Sequence, residues 1–266
     1  MTRVVRAEYK LFPARLHDAI IISDIHLGSP SCQAKPLIAF LQDILHGRLQ
    51  TRRLILNGDV FDSIDFRRLK KSHWKVLSLL RKLSDMISIT WVSGNHDGPA
   101  DDISDLLGVE VRNECVIRGQ SRSILVLHGD IFDEFIEEHP QITWFADLLY
   151  RLLQHIDKTH RIARKAKRGS KIFLRCTEKL RERALEFAER RGMNVICCGH
   201  THHAEAATAG GTSYYNSGCW TESPCTYLTI YKGEVALKAY AETPYSPTVS
   251  LPALHISAER LEALRN

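Results

Sequence analysis

The chain contains five short apolar runs, each ending in polar side chains that can bind a metal ion. The clearest is LILNGDVFD at residues 54–62, where the apolar residues stop just before Gly58 and Asp59. An apolar run that stops at a glycine and a carboxylate is typical of a buried strand ending at a sheet edge. The other four runs are AIIISDIHLGS (19–29), ISITWVSGNHD (87–97), SILVLHGDIFD (123–133) and NVICCGHTHH (194–203).

The spacing of these runs predicts an α/β fold with parallel strands. Parallel neighbours need a crossover of a dozen or more residues, and the first runs start roughly 35 residues apart. Residues 36–46 and 74–86 lie between them with apolar residues at helical spacing, so both are predicted to be crossover helices. The five polar run ends are therefore expected to converge on one point, with Asp59 at its centre.

Length and composition suit one large α/β domain, or one domain with an inserted cap. The chain has 266 residues, 44% of them hydrophobic, which is enough for a sizeable core. Its formal charge of +5 favours anionic partners such as phosphates, nucleic acid or acidic lipid without choosing among them. Seven cysteines without a CxxC pair, and no secretory leader, favour reduced thiols and a cytoplasmic location. No apolar run reaches the length of about 18 residues that a membrane span needs.

The first two run ends carry candidate metal ligands. Asp24 and His26 are alternate residues of an extended segment, so their side chains point the same way and can reach a single ion. Asp59 follows the second strand and is the central candidate. Asp62 comes shortly after it and is predicted to accept a hydrogen bond that orients a ligand.

The third and fourth run ends add an amide and two imidazoles. Asn95 offers a neutral oxygen, which is useful where a site must not accumulate negative charge. The adjacent His96 is predicted to act as a general acid or to hold a phosphoryl oxygen, because imidazole titrates near neutral pH. His128 is a candidate ligand with Asp130 as its carboxylate partner.

The fifth run end supplies His200 and His202, which face the same side of an extended segment and can each meet a different metal. His203 faces elsewhere and is not predicted to be a ligand. Further along, residues 227–240 alternate apolar and polar side chains around Lys232 and Gly233, which predicts an antiparallel hairpin that closes the fold.

Between the fourth and fifth runs the composition changes, so residues 131–193 are predicted to be a helical, basic lid inserted into a core of residues 1–130 and 194–266. An apolar helical stripe at 144–156 precedes a cationic run at 160–171. One interpretation is two helices on the sheet with a solvated face. The other is a lid that binds hydrocarbon and phosphate. For the lid the predicted substrate contacts are Leu148, Leu149, Leu152, Arg164, Lys167, Arg168 and Lys171.

The ordered motifs DxH, GD, GNHD, HGD and GHTH, each behind its own apolar run, resemble the calcineurin-like metallophosphoesterase superfamily over residues 19–240. The resemblance implies a four-layer αββα sandwich of two mixed sheets around two divalent ions that polarise a phosphoryl group and activate water. It further implies that Asp59 bridges the ions and that His96 lies above them. By the same resemblance, one ion is bound by Asp24, His26 and His202, and the other by Asn95, His128 and His200.

Within the superfamily, the segments DIHLG, GDVFD, HGD and YYNSGCW are most similar to the bacterial UDP-2,3-diacylglucosamine hydrolase group of lipid A synthesis. That resemblance implies cleavage of a pyrophosphate to give UMP and a diacylated sugar phosphate, and a place on the inner face of the membrane. It favours manganese, although the donor set also suits Fe, Zn or Co. The chain departs from the group at His96, where its best-known members carry Arg.

Two other functions remain open from the sequence. The basic segment also suits a nucleotide phosphodiesterase or nuclease, although aromatic residues for base stacking are sparse there. The fold is also used by non-catalytic scaffolds such as the retromer subunit. The presence of all seven ligand positions and of His96 favours an enzyme with a phosphoester substrate and no obligate protein partner.

Overall fold

The structure is a computed structural model that describes residues 15–98, 100–119, 122–133 and 171–241. The described strands, in chain order, are β1 (Ala19–Ile22), β2 (Arg53–Asn57), β3 (Ser88–Val92), β4 (Glu110–Arg112), β5 (Cys115–Arg118), β6 (Ser123–Val126), β7 (Val195–Cys198), β8 (Glu205–Ala209), β9 (Thr212–Asn216), β10 (Thr226–Tyr231) and β11 (Glu234–Ala239). The described α-helices are α1 (Ala34–Leu45), α2 (Lys71–Ser84), α3 (Ala100–Leu107) and α4 (Lys171–Arg190), and short 3-10 turns span Phe66–Arg68 and Asp130–Phe132.

The strands form two mixed sheets. The first sheet has the order β11-β10-β1-β2-β3-β4, with β1 to β4 parallel and β10 antiparallel to β1. The second has the order β5-β6-β7-β9-β8, in which β6, β7 and β9 are parallel and the two edge strands are antiparallel to their neighbours. The prediction of an α/β fold with two mixed sheets is confirmed.

The buried side chains are arranged in layers, because alternate residues of a strand face opposite sides of its sheet. From β1, Ile21 points into the core between the two sheets, whereas Ile20 and Ile22 pack with residues of α1 and α2 on the outer side. On the far side of the second sheet, Leu180 and Ala184 of α4 pack with β7 and β9. The result is the predicted αββα sandwich.

The predicted lid segment is described only at its two ends. Six of its predicted substrate contacts, Leu148, Leu149, Leu152, Arg164, Lys167 and Arg168, lie outside the described residues, and Lys171 is the first residue of α4. The division into a core and a lid therefore stays a prediction. Of the helices that the structure describes, none combines the length and the apolar character that crossing a membrane requires.

The prediction for residues 111–127 differs from the structure in part. The segment VRNECVIRG, followed by the polar turn QSRS and by ILVLHGD, predicts a β-hairpin at 111–127. The first segment of this hairpin is divided between β4, which pairs with β3 in the first sheet, and β5, which pairs with β6 in the second. The pairing of β5 with β6 confirms the hairpin itself. The closing hairpin is also confirmed, since β10 and β11 are antiparallel around Lys232 and Gly233.

Candidate metal centre

The five strands with polar ends bring those ends to one region of the sandwich. In the first sheet, β1, β2 and β3 are adjacent and parallel, so the segments that follow them leave the same edge. In the second sheet, β6 and β7 are likewise parallel neighbours. Contacts between the sheets join the two edges, because the backbone N–H of His200 donates to Oδ2 of Asp24 at 3.1 Å. The expected convergence is therefore present.

The first group of donors consists of Asp24, His26 and His202, whose ligand atoms all lie within 4.8 Å of one another. Nε2 of His202 is 3.2 Å from Nε2 of His26 and 3.1 Å from Oδ1 of Asp24. Asp24 and His26 are buried. The other ring nitrogen of His202 is 3.3 Å from the hydroxyl of Thr221, which restrains the ring.

The second group consists of Asp59, His128 and His200, again with ligand atoms within 4.8 Å of one another. Nδ1 of His128 lies 2.9 Å from the backbone carbonyl of Asn57. A carbonyl can only accept, so Nδ1 carries the hydrogen and a neutral ring would present Nε2 with its lone pair free. That Nε2 is 3.4 Å from Oδ2 of Asp59.

Asp59 connects the two groups. Its Oδ2, which lies beside His128, is also 3.6 Å from Nε2 of His26 in the first group. Its other oxygen, Oδ1, accepts the backbone N–H of His96 at 3.0 Å. One carboxylate oxygen therefore lies next to imidazoles of both groups.

The backbone at five of the candidate ligands is left-handed, so the prediction that Asp24 and His26, and likewise His200 and His202, lie on extended segments is wrong. Asp24, His26, Asp59, His200 and His202 all have positive φ angles between 50° and 66°. Among the described residues, the one further non-glycine residue with positive φ is Lys232, in the turn of the closing hairpin. Such a conformation costs on the order of 1–3 kcal/mol per residue and persists where the surroundings impose it, often at functional sites. Five of the six residues in the two donor groups thus share a conformation that turns the chain sharply after β1, β2 and β7.

The donor set fits divalent metal ions. Ligand atoms at about 2.1 Å from an ion, with angles of about 90–110°, lie about 3.0–3.5 Å apart, which matches the separations around His202. Buried Oδ1 of Asp24 and Nε2 of His128 have no hydrogen-bond partner among the described residues. Within the described chain, buried polar atoms without a partner also occur at His17, Asn57 and Trp220. The atoms of Asp24 and His128, however, lie beside other donors of their groups, where a bound ion would satisfy them. Carboxylate oxygen with imidazole nitrogen suits Mn, Fe, Co or Zn.

The charges of the site shift the pKa values of its members in opposite directions. Burial raises the pKa of Asp24, but His202, His128 and His26 outweigh it and hold that pKa below the ordinary value. Burial lowers the pKa of His128, but Asp59 and Asp24 raise it to about 10. Without metal, a proton therefore occupies this histidine, and an ion has to displace that proton to bind.

The remaining predicted residues lie around the two groups. Asn95 and His96 are exposed in the turn after β3, and the His96 ring centroid is 5.1 Å from that of His26. Nδ1 of His96 is 3.2 Å from the backbone carbonyl of Asp62. Oδ1 of Asp62 is 3.5 Å from Nδ1 of His26, so its role in orienting a ligand stays a prediction. His203 instead packs against Phe173.

The sequence did not predict a role for two carboxylates near the site, Asp133 and Asp97. Asp133, rather than the predicted Asp130, contacts a candidate ligand, with Oδ2 2.8 Å from Nε2 of His200. Asp130 begins a 3-10 turn and makes no hydrogen bond to His128 within the described part of the chain. Asp97 is buried beneath the turn after β3. Its position directly after His96 in the GNHD motif is the available signal in the sequence, but the motif alone does not assign it a role.

Comparison with known proteins agrees with this geometry. The sequence model of the family described as calcineurin-like phosphoesterase matches residues 18–204. None of the curated protein sequences matches the chain significantly.

Similar solved structures include Yfce, a phosphoesterase from E. coli, with 18% identity over 83% of this chain and 98% of that chain, at a TM-score of 0.46. Phosphopantetheinyl hydrolase from Mycobacterium tuberculosis has 16% identity over 89% and 100%, at a TM-score of 0.45. A Vps29 mutant from Entamoeba histolytica has 17% identity over 84% and 97%, at a TM-score of 0.43. Similarity this low carries no argument about activity.

The family match covers most of the chain and includes all five motifs up to the histidines that follow β7. It confirms the prediction of a metal-dependent phosphoesterase, a hydrolase with a divalent metal centre. The chain belongs to the calcineurin-like phosphoesterase family.

Proposed function

We propose that this chain hydrolyses a pyrophosphate bond in a nucleotide-linked glycolipid of the UDP-2,3-diacylglucosamine type, releasing UMP and a diacylated sugar phosphate. The observation that carries the underlying chemistry is the carboxylate of Asp59, whose Oδ2 lies beside imidazoles of both donor groups. A carboxylate shared in this way suits two neighbouring ions acting on one phosphoryl group.

In this proposal the described residues hold two divalent ions. Asp24, His26 and His202 would hold one, Asn95, His128 and His200 would hold the other, and Asp59 would contact both. When bound, the ions supply positive charge that polarises the phosphoryl group and makes water a better nucleophile. We propose manganese as the physiological metal, since the mixed oxygen and nitrogen donors accept it and the motif resemblance favours it.

His96 has the role of proton donor or phosphoryl ligand in this proposal. Nδ1 of its ring lies 3.2 Å from the backbone carbonyl of Asp62, and only a protonated Nδ1 can make that hydrogen bond. The neutral ring therefore has an unprotonated Nε2, and the imidazolium form has a proton at Nε2 that it can donate. A leaving oxygen or a phosphoryl oxygen above His26 would receive that hydrogen.

The choice of substrate rests on sequence. The segments DIHLG, GDVFD, HGD and YYNSGCW resemble the UDP-2,3-diacylglucosamine hydrolase group, and the segment from 131 to 193 combines an apolar stripe with cationic residues. In the proposal this segment contacts the acyl chains and phosphates of the substrate, and its charge holds the protein against anionic lipid at the cytoplasmic face of the membrane.

The test is release of UMP from UDP-2,3-diacylglucosamine by purified, manganese-loaded protein, with unacylated UDP-N-acetylglucosamine assayed in parallel. We expect UMP from the acylated substrate only, and none from an Asp59→Ala variant. Cleavage of both substrates at equal rates would overturn the role of the acyl chains.

A second candidate, a nucleotide phosphodiesterase or nuclease, is favoured by the cationic run at 160–171. It predicts hydrolysis of nucleic acid or of simple diesters, with binding that weakens steeply as salt increases, because phosphate contacts release counterions. If the acylated substrate is not cleaved while a chromogenic diester is, this second candidate replaces the first.

A further inference from the structure

Asp97 is a buried carboxylate whose side chain accepts hydrogen bonds from the backbone around the site, including the backbone of the candidate ligand Asp59. It is 1% exposed, and both of its oxygens are fully used as acceptors. Oδ1 accepts the backbone N–H groups of Val60 at 2.7 Å and Phe61 at 3.1 Å. Oδ2 accepts those of Asp59 at 3.0 Å and Gly94 at 2.9 Å, together with the indole N–H of Trp91 at 3.0 Å.

These five hydrogen bonds connect the segments that leave two neighbouring strands. Asp59, Val60 and Phe61 follow β2, whereas Trp91 and Gly94 belong to β3 and the turn after it. Three consecutive N–H groups aimed at one carboxylate fix the direction of the backbone at Asp59, where φ is 54°. The carboxylate of Asp97 therefore stabilises the sharp turn that presents the side chain of Asp59.

The position of Asp59 in turn affects where both donor groups lie. Its backbone carbonyl accepts the N–H groups of Ile25 and His26, each at 2.9 Å, and so fixes the segment that carries the first group. Its side chain lies 3.4 Å from His128 of the second group. A displacement of the backbone at Asp59 would thus change the distance between the two groups, not only the location of one ligand.

We propose that Asp97 is a positioning residue that sets the spacing of the two donor groups so that two ions bind together. This inference rests on the proposed two-ion site. A carboxylate is required because all five partners are donors. In an Asp97→Asn variant, whichever way the amide is turned, its NH2 group faces at least two N–H donors, which are then buried without an acceptor.

The test compares Asp97→Asn with a matched control, Asp43→Asn. Asp43 is also a buried carboxylate, but it lies in α1, where it accepts hydrogen bonds from Arg48 and Tyr240 away from the site. Manganese binding is measured by isothermal titration calorimetry and by metal content per chain. The spectroscopic measurement is electron paramagnetic resonance of the saturated protein, because two Mn²⁺ ions that share a bridging ligand show an exchange-coupled signal.

We expect wild type and Asp43→Asn to bind two ions with a coupled signal. Asp97→Asn should bind at least one ion about 10–100-fold more weakly, the usual effect of removing a residue that orients ligands, and should lose the coupled signal. A coupled signal and wild-type dissociation constants in Asp97→Asn would overturn the inference. A wild-type protein that binds fewer than two ions would instead overturn the proposed two-ion site.

If Asp97→Asn does not fold, the Asp97→Glu variant tests the same inference. It retains both acceptor oxygens but displaces them by one methylene, so the backbone at Asp59 has to move to keep its hydrogen bonds. We expect a folded protein with at least one manganese dissociation constant weakened about 10-fold. Unchanged dissociation constants for both ions in this variant would show that the spacing does not depend on Asp97.

Discussion

At the scale of single residues, the candidate ligands are marked by their backbone as well as by their side chains. Asp24, Asp59 and His200 all have left-handed backbone conformations, although none of them is a glycine. The surrounding hydrogen bonds stabilise these conformations, as shown by the Asp24 N–H donating to the carbonyl of Gly58 at 3.1 Å. The donors are therefore held in place before any ion binds, which reduces the cost of ordering them.

His96 can be tested separately from the ligands. Replacing His96 with Ala should leave metal content unchanged and lower the rate of hydrolysis about 100–10,000-fold, the range expected when a general acid is lost. Steady-state kinetics and metal analysis of the same preparations measure both effects. His46→Ala, at an exposed histidine that ends α1, is the control. Unchanged turnover in His96→Ala would contradict the role assigned to this residue.

At Gly58 the backbone passes close to the ring of His128. It has a φ of 81°, and an added Cβ would lie 2.1 Å from Nδ1 of His128. Gly58→Ala should therefore reduce the free energy of unfolding by the left-handed penalty of about 1–2 kcal/mol and by a further 1–3 kcal/mol from overpacking. It should also weaken metal binding, since the histidine ring has to move.

The matched control for this substitution is Gly192→Ala. Gly192 also has positive φ, at 66°, but an added Cβ there meets no atom within 4 Å. Urea unfolding of both variants separates the two costs, because only the backbone penalty applies at Gly192. Equal losses of stability at the two positions would show that the His128 ring adapts without cost.

At the scale of elements, the start of α2 is tied to the loop after β1 through a buried histidine. Nδ1 of His73 accepts the backbone N–H groups of Gly28 and Lys70, both at 3.2 Å. A nitrogen that accepts two hydrogen bonds carries no proton. Burial and the charge of Lys70 lower the pKa of His73 from its ordinary value of 6.5.

The sign of the resulting pH dependence follows from linkage. The unfolded chain takes up a proton at this histidine at higher pH than the folded chain, so the free energy of unfolding falls as pH drops below about 6.5. His73→Asn retains an acceptor but does not titrate. We expect the loss of stability between about pH 7.5 and about pH 5.5 to be smaller in the variant than in wild type. Urea unfolding at the two pH values measures this, and equal losses would contradict it.

Helix α4 lies within the segment predicted to form a lid, yet it packs against the second sheet through Leu180, Ala184 and Ala188, all buried. Leu180→Ala should lower the free energy of unfolding by about 2–5 kcal/mol, as expected for a leucine in a packed core. Leu174→Ala, at an exposed position of the same helix, should change it by less than about 0.5 kcal/mol. Small effects in both variants would mean that α4 does not contribute to the core.

At the scale of the whole molecule, the sequence indicates candidate ligands more directly than it indicates which strands pair with one another. Strand ends with their donors are local patterns, so Asp24, Asp59 and His128 could be recognised from short segments. Which sheet a strand joins depends on contacts between distant residues. An example is the pairing of Ala19 with Ile230 in the first sheet, which the sequence of neither segment indicates.

Asp97 and Asp133 were missed for a related reason. The partners of Asp97 are four backbone N–H groups and an indole, and every non-proline residue offers such a backbone group, so no sequence pattern marks them. The contact of Asp133 with His200 joins segments 67 residues apart. The sequence indicates which residues can bind a metal, but only the fold shows which residues hold those ligands in place.

The division of the donors between the two sheets links the metal supply to the lifetime of the folded chain. His26 and Asp59 follow strands of the first sheet, whereas His128 and His202 follow strands of the second. An ion that is bound by residues from both sheets can bind only when the two sheets are packed together. When the free concentration of that ion is 100 times its dissociation constant, binding stabilises the native state by about 2.7 kcal/mol. We expect the melting temperature to fall on chelation and to rise with the logarithm of free metal. A cell depleted of that metal would then lose the protein itself to unfolding and proteolysis, and not only its activity.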